Sequence, residues 1–233
     1  MMELEQVTKI YQQGTRTVHA VRGVSLRVEG GEFVSIMGPS GSGKSTLMHL
    51  LGALDTPTTG RALFNGQDLR AMSDRQRSLL RRNCIGFVFQ FFNLLPTLTA
   101  LENVAMPLLL GSASRRAALK KAEASLDLVG LLHRAGHFPE EMSGGEMQRV
   151  AVARALVTAP QAVLCDEPTG NLDSHTSREI LLLLRSLPEV GKRAVVMVTH
   201  DAAAGAFGDR IIHISDGLID SEERVEAPRF AAV

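Results

Sequence analysis

Three things are scarce in this chain of 233 residues: cysteine, excess charge of either sign and long apolar runs. Its two cysteines, Cys84 and Cys165, have no metal-ligand spacing, and reduced thiols of a cytosolic protein are the expectation. Lysine plus arginine (25) equals aspartate plus glutamate (25), so the charge balance offers no polyanion-binding surface and nucleic acid is not an expected partner. The acidic start, Met1-Met2-Glu3-Leu4-Glu5, leads into no apolar core of a signal peptide. The most apolar stretch, Leu94 to Leu110, is interrupted by Pro96, Glu102 and Pro107 and is too short to span a bilayer, so the chain is expected to be soluble as made. Internal repeats and low-complexity segments are absent as well. The length suits one domain, or one domain with a helical insertion.

What is present centres on one loop, Gly38-Pro39-Ser40-Gly41-Ser42-Gly43-Lys44-Ser45-Thr46, a complete G-x-x-x-x-G-K-S pattern. Glu32 to Met37 reads as a buried strand before it and Ser45 to Leu54 as a helix after it, the context that turns successive backbone N–H groups toward a phosphate. Glycines allow that approach without a Cβ in the way. Lys44 is placed to reach the β and γ phosphates and the Ser45 hydroxyl to ligate Mg²⁺.

Before the loop, Leu4 to Tyr11 and Val18 to Val28 read as antiparallel strands joined at Gln12 to Thr15. Tyr11 is either a stacking surface for adenine or an aromatic on a half-buried strand. Beyond the loop, Arg61 to Phe64 predicts a strand, Asn65-Gly66 a hairpin turn, and Ser73 with Gln76 a capping box opening a helix over Asp74 to Arg82. Ile85 to Phe89 predicts a buried strand ending on Gln90, where open α/β sheets bind ligands; Gln90 is thus a candidate for Mg²⁺ or the attacking water.

From Phe91 to about Pro160 the pattern is helical, with starts at Thr99/Glu102, Ser114 (Arg115 to Leu128) and Ser143/Glu146. Phe91 to Leu98 is apolar and is read equally as core or as a patch for a partner. Gly144 and Gly145 in a first helical turn each cost about 1 kcal/mol relative to alanine. An anion approaching exposed N–H groups explains them, as a second phosphate-binding helix end; the bare capping box is the alternative. A second apolar run, Gln161 to Cys165, delivers Asp166 and Glu167 at a strand end, the first suited to Mg²⁺ and the second to a base polarising water. A helix over Ser174 to Leu187 leads to a last strand, Arg193 to Thr199, ending on His200, which is placed for a γ-phosphate or a structural role. From Ser221 the chain reads as a polar, mobile tail.

Taken together, Glu3 to about Asp220 resembles the ATP-binding subunits of ABC transporters. Gly38 to Thr46 matches their Walker A, Gln90 the Q-loop, Ser143-Gly144-Gly145-Glu146 the signature, Ala162 to Glu167 the Walker B, Asn171-Leu172-Asp173 the D-loop and His200 the switch histidine. Met142 and Glu146 stand where many members have leucine and glutamine, and Cys165 where alanine is common. Glu167-Pro168-Thr169-Gly170-Asn171-Leu172-Asp173 and Leu51-Gly52-Ala53-Leu54-Asp55 are similar to the branch holding the lipoprotein-releasing LolD, MacB-type and FtsE ATPases, and Thr99 to Pro107 is most similar to LolD.

The resemblance implies an α/β P-loop NTPase fold over 1–220, with a core of 1–90 and 161–220 holding a mostly parallel sheet and an N-terminal antiparallel β subdomain, a helical subdomain (about 91–160) and a polar tail at 221–233. It implies ATP and Mg²⁺ as cofactors, with Lys44, Glu167 and His200 catalytic and Ser45, Gln90 and Asp166 around the metal. It further implies an ATP-dependent homodimer lying peripherally on the cytoplasmic face of the inner membrane, beneath integral permease subunits with extracytoplasmic domains. An ABC-type ATPase acting on nucleic acid or ribosomes, or an FtsE-like division ATPase, stays open as the alternative.

Overall fold

The computed structural model describes residues 1–111, 113–189 and 192–225. In chain order the elements are β1 (Met2–Gln13), β2 (Arg16–Val28), β3 (Phe33–Met37), α1 (Lys44–Leu51), β4 (Thr59–Phe64), β5 (Gln67–Asp68), α2 (Asp74–Cys84) and β6 (Ile85–Phe89). There follow α3 (Ala100–Leu110), α4 (Arg115–Leu128), α5 (Gly144–Leu156), β7 (Ala162–Asp166), α6 (Ser174–Ser186), β8 (Ala194–Thr199), α7 (Ala202–Gly205), β9 (Arg210–Ser215) and β10 (Leu218–Arg224).

Two sheets result. One is antiparallel, in the order β2-β1-β4-β5; the other has the order β10-β9-β3-β8-β7-β6 and is parallel except for β10. The central strands are apolar throughout because both faces are covered. Val163, Cys165, Val195 and Met197 face a cluster shared with α3, α4, α5 and α6. Leu164, Val196 and Val198 face the opposite cluster, built on α1 and the antiparallel sheet. Alternate residues of each strand therefore lock it between two layers.

Local signals are realised closely. Asn65 (φ 51°) and Gly66 (φ 77°) make the left-handed pair of a tight hairpin between β4 and β5. The Ser73/Gln76, Thr99/Glu102 and Ser143/Glu146 capping boxes all form, each closing a helix N-terminus reciprocally. Other boundaries move. α1 stops at Leu51, three residues short of expectation, because Gly52 caps it and Ala53 turns left-handed at φ 54°. The tail expected from Ser221 is a strand at its start: Ser221, Glu222, Glu223 and Arg224 pair antiparallel with His213, Ile212, Ile211 and Arg210. β10 is an edge strand with mostly exposed side chains, so its polar composition carries no alternation to betray it. No helix among the described residues is long and apolar enough to cross a membrane.

Candidate functional site

Parallel strands all present their C-terminal ends at one edge of the sheet, and that edge collects the chemistry. β3 leads into the Gly38–Thr46 loop, β6 into Gln90, β7 into Asp166 and Glu167, and β8 into His200.

The loop is built around close approaches. A Cβ on Gly38 would lie 2.1 Å from the Ile214 carbonyl oxygen. Gly43 combines φ 104° with a site where a Cβ would lie 2.3 Å from the Ala20 carbonyl oxygen, so no other residue fits. Lys44 is only 7% exposed, and its Nζ donates to the carbonyl oxygens of Gly38 and Pro39 at 2.8 Å each. The ammonium is thus already fixed at the mouth of the cradle by two neutral acceptors that a phosphate outcompetes. The Ser42 hydroxyl is buried with no hydrogen-bond partner among the described residues. These features fit a nucleotide phosphate chain: a fixed cation, an orphaned hydroxyl and a backbone free of side-chain obstruction.

The metal side fits too. Ser45 Oγ lies 3.5 Å from Asp166 Oδ1, two hard oxygen donors of the kind Mg²⁺ takes. No group of three or more His, Cys, Asp or Glu side chains placed to hold a metal ion occurs among the described residues. Burial pushes the Asp166 carboxyl above its ordinary value, and neighbouring Glu167 adds to this, against the opposing pull of His49, Ser45 and Lys44. The folded chain therefore keeps this proton to a higher pH than the unfolded chain does, and the stability associated with it is lost as pH rises from the ordinary carboxylate value through the raised one. Asp166→Asn is accordingly expected to melt at a higher temperature than the parent without nucleotide, with a gap that opens as pH rises from the ordinary carboxylate value through the raised one and is constant above it, while losing hydrolysis. Superimposable melting curves across pH would contradict the desolvation argument.

Glu167 is held by its backbone in the left-handed region at φ 45°, a strain associated with functional positions. Its N–H donates to the Val198 carbonyl at 2.9 Å, and its Oε1 lies 2.9 Å from His200 Nδ1. The structure therefore joins Glu167 and His200, two residues 33 apart in sequence, through the adjacency of β7 and β8. Gln90 faces the turn after β7: its Nε2 lies 2.9 Å from where a Cβ on Gly170 would sit, and its carbonyl accepts a 3.0 Å bond from Asn171 Nδ2. No hydrogen bond joins Gln90 to Ser45 or Asp166 among the described residues.

Tyr11 stands beside the loop. Its hydroxyl donates to Asp55 Oδ2 at 2.8 Å, Lys9 Nζ is 4.9 Å from its ring centroid, and the Thr46 side chain lies close by. Burial raises the phenol above its ordinary value, reinforced by Asp55. Burial also acts to raise Asp55, but the bonds from Lys9 and Tyr11 outweigh it and hold the carboxyl below its usual range. This ion-paired bracket was not legible in the sequence, where Lys9 and Asp55 sit in separate segments.

At the third helix start the capping box forms around Ser143, and Glu146 does double duty. Its Oε2 accepts from the Ser143 N–H at 2.8 Å, and its Oε1 accepts from Arg134 Nε at 2.8 Å. The Ser143 N–H bond, aided by Arg134, holds its carboxyl below the ordinary value. The charge that departs from the usual signature is therefore countered within the chain. Gly145 has a packing reason of its own, since a Cβ there would lie 2.5 Å from Thr176 Cγ2. Asp173 caps α6, accepting from the His175 and Thr176 N–H groups at 3.0 Å each, so the starts of α5 and α6 meet. No hydrogen bond or ion pair links Ser143–Glu146 to Gly38–Thr46 among the described residues. Both cysteines are free, and burial pushes each thiol up, Cys165 most of all.

A buried polar residue next to the Glu167 turn escaped the motif reading. Gln148 is fully buried on α5, and its Nε2 donates to the carbonyl oxygen of Pro168. The available signal was an amide in register with the apolar Ala151, Val152 and Ala155 at helical spacing.

Comparison with known proteins agrees with this geometry. Residues 21–170 match the family described as ABC transporter. The lipoprotein-releasing system ATP-binding protein LolD of Acinetobacter baylyi is 48% identical over 219 residues, 94% of this chain and 96% of that protein. The macrolide export ATP-binding/permease protein MacB of Bdellovibrio bacteriovorus is 45% identical over 227 residues, which are 97% of this chain but 34% of that protein. Among solved structures, a dimeric post-hydrolysis state of the ATP-binding cassette MJ0796 of Methanocaldococcus jannaschii, bound to ADP and Pi, superposes with a TM-score of 0.90 at 44% identity. That alignment covers 97% of this chain and 100% of that one. With a complete phosphate loop, two strand-end acids and relatives matched over nearly its whole length, this chain belongs to the ABC transporter family and carries its ATP-binding cassette.

Proposed function

We propose that this chain is the ATP-hydrolysing subunit of a membrane transport complex, working as a dimer closed by ATP, in lipoprotein release or MacB-type export. The observation that carries the ATPase reading is the Lys44 ammonium fixed by the Gly38 and Pro39 carbonyls beside the Ser45–Asp166 oxygen pair. Phosphate displaces those carbonyls from Lys44. Ser45 and Asp166 would hold Mg²⁺, which would supply charge neutralisation at the leaving group. Glu167 accepts a proton from the attacking water, whose oxygen bonds to the γ-phosphorus as the bond to the β–γ bridging oxygen breaks and ADP leaves. His200 orients Glu167 and supports the γ-phosphate, and Tyr11, next to Thr46, offers its ring to adenine.

Two copies are needed because the Ser143–Gly145 helix end makes no bond to the phosphate loop of its own chain. Each such helix end completes the site of the opposite copy, its N–H groups meeting the γ-phosphate. A cavity of about 880 Å³ lined by Glu167, Gly170, Leu172, Ser177, His200 and Asp201 gives the second copy a concave face to enter. The dimeric state of the MJ0796 cassette supports this arrangement.

A second cavity, about 660 Å³, is lined by Arg81, Leu95, Met106, Pro107, Leu110 and Arg154. Phe91, 73% exposed, lies next to Gln90. This is the expected seat of the permease, so the Phe91–Leu98 segment serves mainly as surface rather than core. Leu95→Asp and Leu110→Asp, at residues 46% and 66% exposed, are expected to leave basal ATPase activity unchanged and to lose co-purification with the membrane subunit. Equal loss of both activities would return the segment to the core. The function as a whole is tested by pull-down of Glu167→Gln with ATP from detergent-solubilised native membranes. Recovery of an integral subunit with an extracytoplasmic domain supports transport, whereas recovery of nucleic acid or ribosomal material would replace it.

A further inference from the structure

We infer that Gln148 is a positioning residue that ties the helix start meeting one ATP to the glutamate hydrolysing the other. The inference rests on the proposed two-copy arrangement and on Glu167 as its base. Gln148 lies one turn into α5, the helix whose N-terminus carries Ser143, Gly144 and Gly145. It is fully buried, and the residues three, four and seven positions on, Ala151, Val152 and Ala155, are buried and apolar. Packing alone selects an aliphatic side chain there, because a buried amide loses its hydration and must recover it in hydrogen bonds. The recovery is partial: Nε2 donates to the Pro168 carbonyl, while Oε1 has no partner among the described residues. An amide retained at that disadvantage points to the bond it does make.

That bond ends one residue from Glu167. Proline has no N–H and a fixed φ, so its carbonyl is the only polar main-chain handle at this position. The residue before a proline is itself sterically restricted, and here it is Glu167 at φ 45°. Anchoring Pro168 from α5 therefore constrains where the Glu167 carboxylate lies relative to His200. The α5 helix is in turn seated on α6 through Arg149 Nη2 to Glu179 Oε2 at 2.8 Å and Gly145 against Thr176. Engagement of Ser143–Gly145 by the ATP of the opposite copy thus bears on the base of the chain's own site. Hydrolysis in the two sites is linked by that path.

The test is Gln148→Met, close in length and flexibility but without the amide. Turnover is expected to fall about tenfold or more, with KM for ATP changed less than about twofold, the pattern of a group that acts in the transition state only. The ATP concentration that dimerises the Glu167→Gln chain should be the same with and without Gln148→Met, the thermal midpoint should hold, and the Hill coefficient for ATP should drop toward one. Unchanged turnover and Hill coefficient would overturn the inference. So would a loss of turnover matched by loss of dimerisation and a lower midpoint, which marks mere packing. Should the variant fail to fold, the side-chain ¹⁵N resonances of Gln148 in the Glu167→Gln chain give an independent reading: a shift on adding ATP and Mg²⁺ is expected, and its absence overturns the link. Residual hydrolysis by Glu167→Gln alone at the parent rate would overturn both this inference and the reading of Glu167. An inactive Glu167→Gln beside a fully active Gln148→Met removes only the role of Gln148.

Discussion

Lys44→Ala is expected to lower kcat/KM for ATP hydrolysis by about 10²–10³-fold, the range found when a single preorganised donor to developing charge is removed. The size of the effect follows from how the lysine is held. A side chain 7% exposed, with Nζ bonded to two loop carbonyls, is already desolvated and aimed, so binding phosphate needs little reorganisation. Alanine leaves the Gly38 and Pro39 carbonyls without that donor, a loss of about 1–3 kcal/mol each where they stay buried, partly offset because a buried ammonium is no longer desolvated. The folded protein should therefore survive while nucleotide affinity does not. Steady-state phosphate release together with calorimetric ATP binding measures both. Unchanged turnover in a folded Lys44→Ala chain would remove Gly38–Thr46 from the site altogether.

Glu167→Gln should show the complementary behaviour: ATP retained, and turnover reduced about 10²–10⁴-fold, the usual contribution of a positioned general base. The amide is isosteric with the carboxylate and can keep a hydrogen bond to His200 Nδ1, and the backbone bond from residue 167 to the Val198 carbonyl is untouched. What disappears is the charge that polarises water. With hydrolysis blocked, the ATP-closed dimer should accumulate, and a sizing column run in saturating ATP and Mg²⁺ reads it directly. A monomer under those conditions would count against the two-copy site, and wild-type turnover would count against Glu167 as the base.

These two variants separate binding from chemistry, and the geometry explains why they must. Lys44 belongs to the loop after β3, whereas Glu167 follows β7 and reaches its partner His200 after β8. Asp166 lies between the two roles. Its side chain reaches Ser45 at the start of α1, while Glu167, next in sequence and left-handed in its backbone, reaches His200 after the neighbouring strand β8.

Much of the site was legible before any fold was known, because its signals are local. The phosphate loop is nine consecutive residues whose spacing encodes its own backbone path, and a capping box needs only residues three apart, so Ser73/Gln76, Thr99/Glu102 and Ser143/Glu146 were all readable from sequence. Apolar runs such as 162–165 and 194–198 announced doubly covered strands. Sequence by itself therefore determined most of the elements and the loop, and nominated the groups proposed to react. Tertiary structure alone decided who meets whom. The order β9-β3-β8-β7-β6 brings Ser45 to Asp166 across 121 positions, and Glu167 to His200 across 33. The pairing of Arg134 with Glu146, the seat of Tyr11 between Lys9, Thr46 and Asp55, and the amide of Gln148 on Pro168 arise the same way. So does the pairing of Ser221–Arg224 with β9. Such contacts leave no periodic trace in the chain, since each depends on which distant strand or helix the burial of both sheet faces selects as a neighbour.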